Sequence, residues 1–406
     1  MSTQSAQSIL FTHTAPQQAF RLLELPADLA ELLSSDNPPT LEIKSPAPSS
    51  QESNPTDPSP TDTTREYINL CTPTQTYRIR QVQSSNSLHI LRPSDDGIQR
   101  GDLAVIGAPT STSTEDPVLA DLNLSETMTT IAKCGSTLEL HTPQEGFNII
   151  PILEGLLGRY DSDSDGKSGS TGQERLAESA DRRRIIEGVF TDVPVSRMQC
   201  ERAWKEVCAF VLPDTGRGWM PTAQVKIGVW KRMVEGAVLQ GIDLGKQFLV
   251  GDVWKSVLDE EGEGEWPREL FEAVIRRVCE GGASIDKEGC VRWVGETYLE
   301  AVAPTANAAV GRSEFLNAWK DHLPEGWREQ AAFSKLTVCG IHLVSICVWL
   351  TEDKYRFPDP TTICFVNDDD RQKLKRNVST DASASTAAKK TRNWHELFKN
   401  QKRQKR

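Results

Sequence analysis

No run of apolar residues in this chain of 406 approaches the ~18 that a membrane-spanning helix needs, and no leader of the secretory type opens it. Neither a membrane span nor a cleaved signal is expected. The nine cysteines are scattered, odd in number and without a CxxC pair. That spacing excludes a disulfide framework and a paired-cysteine motif, and predicts reduced thiols in an intracellular protein. Hydrophobic residues make up 37%, below the usual globular share, while there are 23 Pro and 27 Gly. Part of the chain must therefore lack a packed core. A GxSxG elbow, paired catalytic carboxylates and a Cys/His nucleophile arrangement are also missing. An enzyme fits this chain poorly, and no cofactor is expected.

What the chain does have is an uneven charge. Residues 371–406 hold twelve Lys/Arg against Asp381 and Glu396, a surplus of +10, so residues 1–370 must carry −21 for the whole to reach −11. An acidic body does not draw nucleic acid by its overall field. Any DNA affinity must come from local patches or from the tail.

The richest stretch is residues 70–93, LCTPTQTYRIRQVQSSNSLHILRP. Tyr77 and Ile79 alternate with Arg78 and Arg80, and Leu88 and Ile90 with Ser87 and His89. Period two marks half-buried strands. Polar turns at 72–75 and 83–86 would divide the stretch into two or three short strands. A few strands cannot close a core alone, so the block needs sheet partners. Around it, residues 1–18 are polar and loose. Residues 20–33 read as an extended lead-in followed by a helix with Pro26 at its first position. Residues 41–44 and 67–71 are strands on either side of the low-complexity stretch 45–64. Residues 94–127 are mixed, with a strand at 103–106; residues 128–133 and 137–141 are strand-like. Ile149, Ile150, Leu153, Leu156 and Leu157 share one helical face. Residues 161–181 form an acidic, Ser/Gly-rich linker.

From 183 to 366 a pattern of capped helices ending in a hairpin recurs about three times. In the first unit Ser196 and Gln199 make a capping box, followed by the stripe Cys200, Ala203, Trp204, Val207, Cys208 and Val211. A second helix over about 222–239 buries Ile227, Trp230, Val234 and Val238. In the middle unit Asp252 caps a short helix with Trp254 and Val257. Pro267 starts the next, with Leu270, Phe271, Val274, Ile275 and Val278, and Gly281-Gly282 ends it. Residues 284–286 and 290–294 then flank the turn Lys287-Glu288-Gly289 as a wing. In the last unit Ser313 caps Phe315, Leu316 and Trp319, a helix follows Pro324, and hairpin strands fall at 346–350 and 362–366. Helix, helix, hairpin is the winged variant of helix-turn-helix.

Three apparent sites fail on inspection. Residues 161–166, DSDSDG, open like an EF-hand loop, but Ser168 stands at position eight and Gly172 at position twelve, where a bidentate Glu is needed. Gly166-Lys167-Ser168 ends like a phosphate loop, yet Asp161 occupies the first Gly position and, with Asp163 and Asp165, would repel phosphate. Cys339, His342 and Cys347 have zinc-knuckle spacing but lack a fourth ligand, and the apolar neighbours Leu343, Ile346 and Val348 favour burial. No metal is expected.

Basic residues of the helical units are the DNA-contact candidates: Lys226, Lys231 and Arg232 in the first; Arg276, Arg277, Lys287 and Arg292 in the middle; Arg328 and Lys335, spread over the helices with Arg312 and Lys320, in the last. Phosphate contacts of this kind weaken steeply with salt. Nothing resembles a bidentate base-reading set, so sequence specificity is not expected. The plain alternative is an ordinary charged surface, with Glu272 pairing Arg276. In the tail, KKTRNWHELFKNQKRQKR at 389–406, Lys389, Lys390 and Arg392, then Lys402, Arg403, Lys405 and Arg406, flank Trp394, Leu397 and Phe398. This reads first as a nuclear-import signal and second as a DNA or partner clasp.

Leu70-Cys71, Thr76-Tyr77 and Ser85-Asn86-Ser87-Leu88, together with Leu22-Leu23-Glu24-Leu25, Leu138-Glu139-Leu140 and the Leu323-Pro324-Glu325-Gly326 turn after Trp319, resemble the DCC family of sister-chromatid cohesion proteins. The resemblance covers most of the ordered chain; the stretches 45–64 and 161–181 and the basic tail depart from it. It implies an α+β chain: an N-terminal β-rich half-barrel completed by partner subunits, then three tandem winged-helix domains. The implied plan is a loose 1–18, a barrel domain at 19–158, a linker at 159–182, winged helices at 183–242, 243–300 and 301–368, and a basic tail at 369–406. It further implies a non-catalytic nuclear subunit of the alternative, replication factor C-like clamp loader. In that family the barrel joins a small partner subunit and the C-terminus of the large subunit. The helical part meets the catalytic subunit of DNA polymerase epsilon and single- and double-stranded DNA, bringing the loader to the sliding clamp PCNA. Tyr77, Ile79, Leu88 and Ile90 would then face the barrel interior or its partner strands, although an intrachain core would bury the same residues. The rivals are a stand-alone winged-helix transcription or chromatin factor and a protein like the accessory subunit of ribonuclease H2.

Overall fold

A computed structural model of the chain describes residues 10–13, 18–46, 67–93, 127–143, 146–161, 175–258, 264–279, 284–336 and 354–366. Two compact units result: Met1–Phe147 with Asp192–Cys200, and Asn148–Thr191 with Glu201–Arg406. Among the described residues no helix is long and apolar enough to cross a membrane. The expected strands at 103–106 and 346–350, the Gly281-Gly282 stop, the Cys339, His342 and Cys347 trio and the basic tail lie outside the described residues, as do nearly all of 45–64 and residues 162–174.

The first unit is a six-stranded sheet of β1 (Leu10–His13), β2 (Leu22–Glu24), β3 (Glu42–Lys44), β4 (Ile68–Cys71), β5 (Thr76–Pro93) and β6 (Thr127–His141). Its order is β1-β6-β5-β4-β3, with β2 also on β6. β1 and β2 run parallel to β6, and the other pairs are antiparallel. The turn at Thr72 forms as expected: its N–H bonds the Gln75 carbonyl at 2.8 Å and its hydroxyl accepts the Gln75 N–H at 2.9 Å. The second turn does not. Residues 83–86 stay in β5, and the polar residues are absorbed by a register slip between Gln83 and Leu88. The register on β6 jumps from Gln83–Ser136 to Leu88–Cys134, so residues 84–87 form a bulge within β5 and do not end the strand. Helix α1 (Ala27–Leu33) begins one residue after Pro26, which precedes it at φ −57° and ψ 150°.

Period two gives the sheet two different faces. Ile43, Leu70 and Tyr77 sit opposite one another across β3, β4 and β5, and Ile68, Ile79 and Leu140 across β4, β5 and β6. α1 covers part of this face, burying Leu29 against Leu70 and Tyr77. The alternate positions Asn69, Cys71 and Thr76 are buried on the other side.

The second unit holds α2 (Ile150–Leu156), β7 (Gly158–Tyr160), all but the last residue of α3 (Arg175–Asp192), α4 (Arg197–Glu206) from Glu201 on, β8 (Phe210–Leu212), β9 (Arg217–Pro221) and α5 (Ala223–Leu239). α6 (Val250–Val257), α7 (Arg268–Val278), α8 (Lys287–Val302), β10 (Val310–Gly311), α9 (Arg312–Asp321), a 3-10 turn at Glu325–Gln330, α10 (Phe333–Leu336), β11 (Tyr355–Arg356) and β12 (Thr362–Phe365) follow. One order, helix, strand, helix, helix, two strands, occurs twice: α2-β7-α3-α4-β8-β9 and α8-β10-α9-α10-β11-β12. Each has a three-stranded sheet in which the first strand pairs the last, β7-β9-β8 and β10-β12-β11. Between them α5, α6 and α7 are followed by a single bridge, Cys279 to Ile285.

Several local readings need correction. The wing at Lys287-Glu288-Gly289 is the first turn of α8. The Asp286 carboxylate accepts the Gly289 N–H at 3.1 Å, which makes Asp286 a helix N-cap, and Cys290, Val291, Trp293 and Val294 continue with helical spacing. Residues 175–181, read as linker, are helical in α3. Asp252 and Ser313 lie inside their helices, after Leu249 and Gly311 at the N-caps, and make no cap bond there. Val238, in the last turn of α5, is 71% exposed and not in the core. Only half of the capping box forms: the Gln199 N–H bonds the Ser196 hydroxyl at 3.4 Å, while the Ser196 N–H donates to the Thr76 hydroxyl at 2.7 Å and not to the Gln199 side chain.

Candidate interaction surfaces

On the first unit, α1 leaves part of the apolar sheet face open. Ile43 is 72% exposed and Ile68 49% exposed, although both are branched aliphatics in strands. They belong to adjacent cross-strand rows, with Ile68 beside the half-buried Ile79 and Leu140. Leu23 on β2, opposite Leu138, is also exposed. β3 is the end strand of the sheet on this side. Isolated exposed leucines are unremarkable; a run of them across neighbouring strands at a sheet end marks an interaction surface.

Of the four residues read as facing the partner, Tyr77 belongs to its own chain's core. It is 4% exposed, and its hydroxyl lies 3.0 Å from the Asp28 carboxylate on α1 and 2.9 Å from Gln75 Oε1. Ile79 is half-buried at the edge of that core. Farther along β5, Leu88 is 42% exposed opposite Cys134, and Ile90 is half-buried opposite Ala132.

Burial, then the hydrogen bond and charge of Asp28, push the Tyr77 phenol from its ordinary value of 10 up to about 12. A raised folded-state value stabilises the fold fully below pH 10, and that contribution is lost as pH climbs through about 12. Denaturant titrations at pH 8 and 11.5 test this. Tyr77→Phe should be about 1 kcal/mol less stable than wild type at pH 8. It should lose less stability than wild type on going to the higher pH.

Lys226, Lys231 and Arg232 lie on α5, Arg276 and Arg277 on α7, Lys287 and Arg292 on α8, Arg328 in the 3-10 turn and Lys335 on α10. The structure brings Lys287 and Lys335 together at the start of α8. Lys335 pairs with Glu288, and Lys287 donates to the Gly326 carbonyl at 3.2 Å. Lys231 pairs with Glu235 and Arg292 with Glu296, at 3.9 and 4.0 Å. Glu272, expected to pair Arg276, bonds Arg268 at 2.8 Å instead. Arg328 reaches the Leu323 carbonyl at 3.5 Å, and the Arg277 Nε is buried with no hydrogen-bond partner. Such surface pairs are worth only about 0–1 kcal/mol and yield readily to a phosphate.

Sequence reading missed two features. Arg312 lies over the rings of Phe333 and Phe357, 5.0 and 4.5 Å from their centroids, and donates to the Pro360 carbonyl at 3.1 Å. Only folding brings these together. The second is Asp192–Cys200, which belongs to the first unit. Its one sequence signal was the polar Asn69 and Thr76 at strand positions alternating with apolar ones. The seven described cysteines are free and buried. Among the described residues no three His, Cys, Asp or Glu side chains are grouped to hold a metal.

The family model described as Sister chromatid cohesion protein Dcc1 matches residues 20–369. No curated protein sequence matches the chain significantly.

Proposed function

This chain belongs to the sister chromatid cohesion protein Dcc1 family, and from that premise we propose that it is a non-catalytic, nuclear subunit of the cohesion-linked alternative clamp loader. Family membership itself implies a role in sister chromatid cohesion. The observation that carries the assembly reading is the open apolar face at the end of the first unit's sheet, over Ile43, Ile68 and Ile79. A small barrel partner subunit and the C-terminus of the large subunit would supply the strands that close it into a barrel. Burying that face would contribute roughly 25 cal/mol per Å² of apolar surface.

The helical unit would then act as a tether, its repeats read as winged helices. The helix, strand, helix, helix, two-strand order supports that reading, as does a first strand paired with the last. Its partners would be the catalytic subunit of DNA polymerase epsilon and, through scattered basic residues, single- and double-stranded DNA. Linked weak contacts of this kind raise effective concentration near PCNA without new chemistry. Co-expression tests the reading. The full chain, the small subunit and the large subunit's C-terminus should elute as one complex, and separate elution would end the proposal. DNA affinity should fall steeply as salt rises, with little dependence on sequence. Deleting residues 389–406 should keep the protein out of the nucleus, checked by imaging a fluorescent fusion. Unchanged nuclear signal would remove the import role of the tail.

A further inference from the structure

Residues Asp192–Cys200 return to the first unit after an excursion of more than forty residues through the second. They cross the sheet face opposite the open one. Asn69 Nδ2 donates to the Pro194 carbonyl at 2.6 Å, and Lys44 Nζ to the Val195 carbonyl at 3.3 Å. The Ser196 N–H donates to the Thr76 hydroxyl at 2.7 Å, and that hydroxyl donates to Gln199 Oε1 at 2.5 Å. The Met198 N–H bonds the Pro73 carbonyl at 3.1 Å. Val193, Val195, Ser196, Gln199 and Cys200 are all buried, as are Asn69 and Thr76. Buried polar groups left without partners are costly, so this seam holds one register or none.

The strands gripped by this segment are the ones that end in the open face. Lys44 is next to Ile43 on β3, Asn69 lies between Ile68 and Leu70 on β4, and Thr76 precedes Tyr77 on β5. Alternate residues of the same three strands thus bond the segment on one side and present the apolar face on the other. We propose that Asp192–Cys200 is a strap that pre-orders β3, β4 and β5 for strands from another chain, so that strap closure and partner docking are one coupled equilibrium. Ordering these strands before docking removes that entropic cost from binding. Coupling is reciprocal, so a docked partner must hold the strap more tightly closed. The strap also makes the assembly module discontinuous: a fragment ending near residue 158 lacks part of it.

This inference rests on the assembly reading, and its test separates the two. The probe is the purified small barrel subunit, added to the full-length chain. Amide exchange at Ser196 and Met198 should slow by about tenfold or more in the complex. Thr76→Val, which keeps the side chain's shape but removes both of its bonds to the strap, should weaken partner affinity by roughly tenfold. The thermal unfolding of the helical unit should not change. If wild type does not bind the subunit, the assembly reading fails and the coupling with it. If wild type binds but strap exchange is the same with and without the subunit, the strap proposal alone is overturned. That second readout needs no variant, so it decides even where Thr76→Val fails to fold.

Discussion

With Ile43→Glu and Ile68→Glu together in the full-length chain, capture of the small barrel subunit should fall by at least ~100-fold. Scaled by their exposures of 72% and 49%, the two isoleucines together lose about 2–3.5 kcal/mol of burial in the complex, close to the ~2.7 kcal/mol that a hundredfold represents. The introduced carboxylates make docking worse still, because each must be desolvated. The free chain should lose little stability, since Ile43 is mostly and Ile68 about half exposed to begin with. Titration calorimetry against the purified subunit gives the affinity, and thermal denaturation gives the control. Wild-type affinity in the double variant would show that the partner docks elsewhere.

The second large effect is expected in the helical unit. Gly295, in the middle of α8, faces the Trp319 indole, and a Cβ placed there would lie 2.5 Å from Cε2, 2.6 Å from Cζ2 and 2.9 Å from Nε1. Trp319 is fully buried, and its Nε1–H bonds the Val291 carbonyl at 2.9 Å. Alanine has the better helix propensity by about 1 kcal/mol. Against this stand roughly 1–3 kcal/mol of overpacking and about 1 kcal/mol for a displaced buried hydrogen bond. The steric side wins. Gly295→Ala should destabilise the unit by about 1–3 kcal/mol, and Gly295→Val by more, because it adds branching as well. Thermal melts measure this, and a wild-type melting curve for Gly295→Val would refute the close contact. The smaller Trp319→Phe should partly restore Gly295→Ala, since it removes the atoms the new methyl meets. Loss of the helical unit should also cost DNA affinity.

Local periodicity made several elements legible. Leu270, Phe271, Val274, Ile275 and Val278 read as one helical stripe and are buried as one. Tyr77 and Ile79 read as one strand face and share a core. The misses arise where distant pairing or a competing local signal decides. Gln83, Ser84, Ser85 and Asn86 read as a turn because their own preference is weak; the pairing with β6, more than forty residues away, resumes at Leu88–Cys134 and makes the stretch a bulge inside one strand. Gly289 read as a hairpin turn, whereas the Asp286 cap three residues earlier makes it part of a helix. The strap could not be read locally, because Asn69 and Thr76 reveal their partners only when residues 194–199 return to them. Alternation shows that Tyr77 is buried and leaves open whether its own chain or a partner buries it; α1 is what does so.

The most direct test of the assembly account is the accessibility of Ile43 itself. All seven described native cysteines are buried, so Ile43→Cys places an exposed thiol on the end strand. Its alkylation rate, read on the peptide that carries it, should be fast in the free chain. It should drop by about tenfold or more once the small subunit and the large subunit's C-terminus are bound, as expected for a position sealed inside an interface. An unchanged rate in a complex shown to be intact would mean that the sheet stays open and that assembly runs through some other surface.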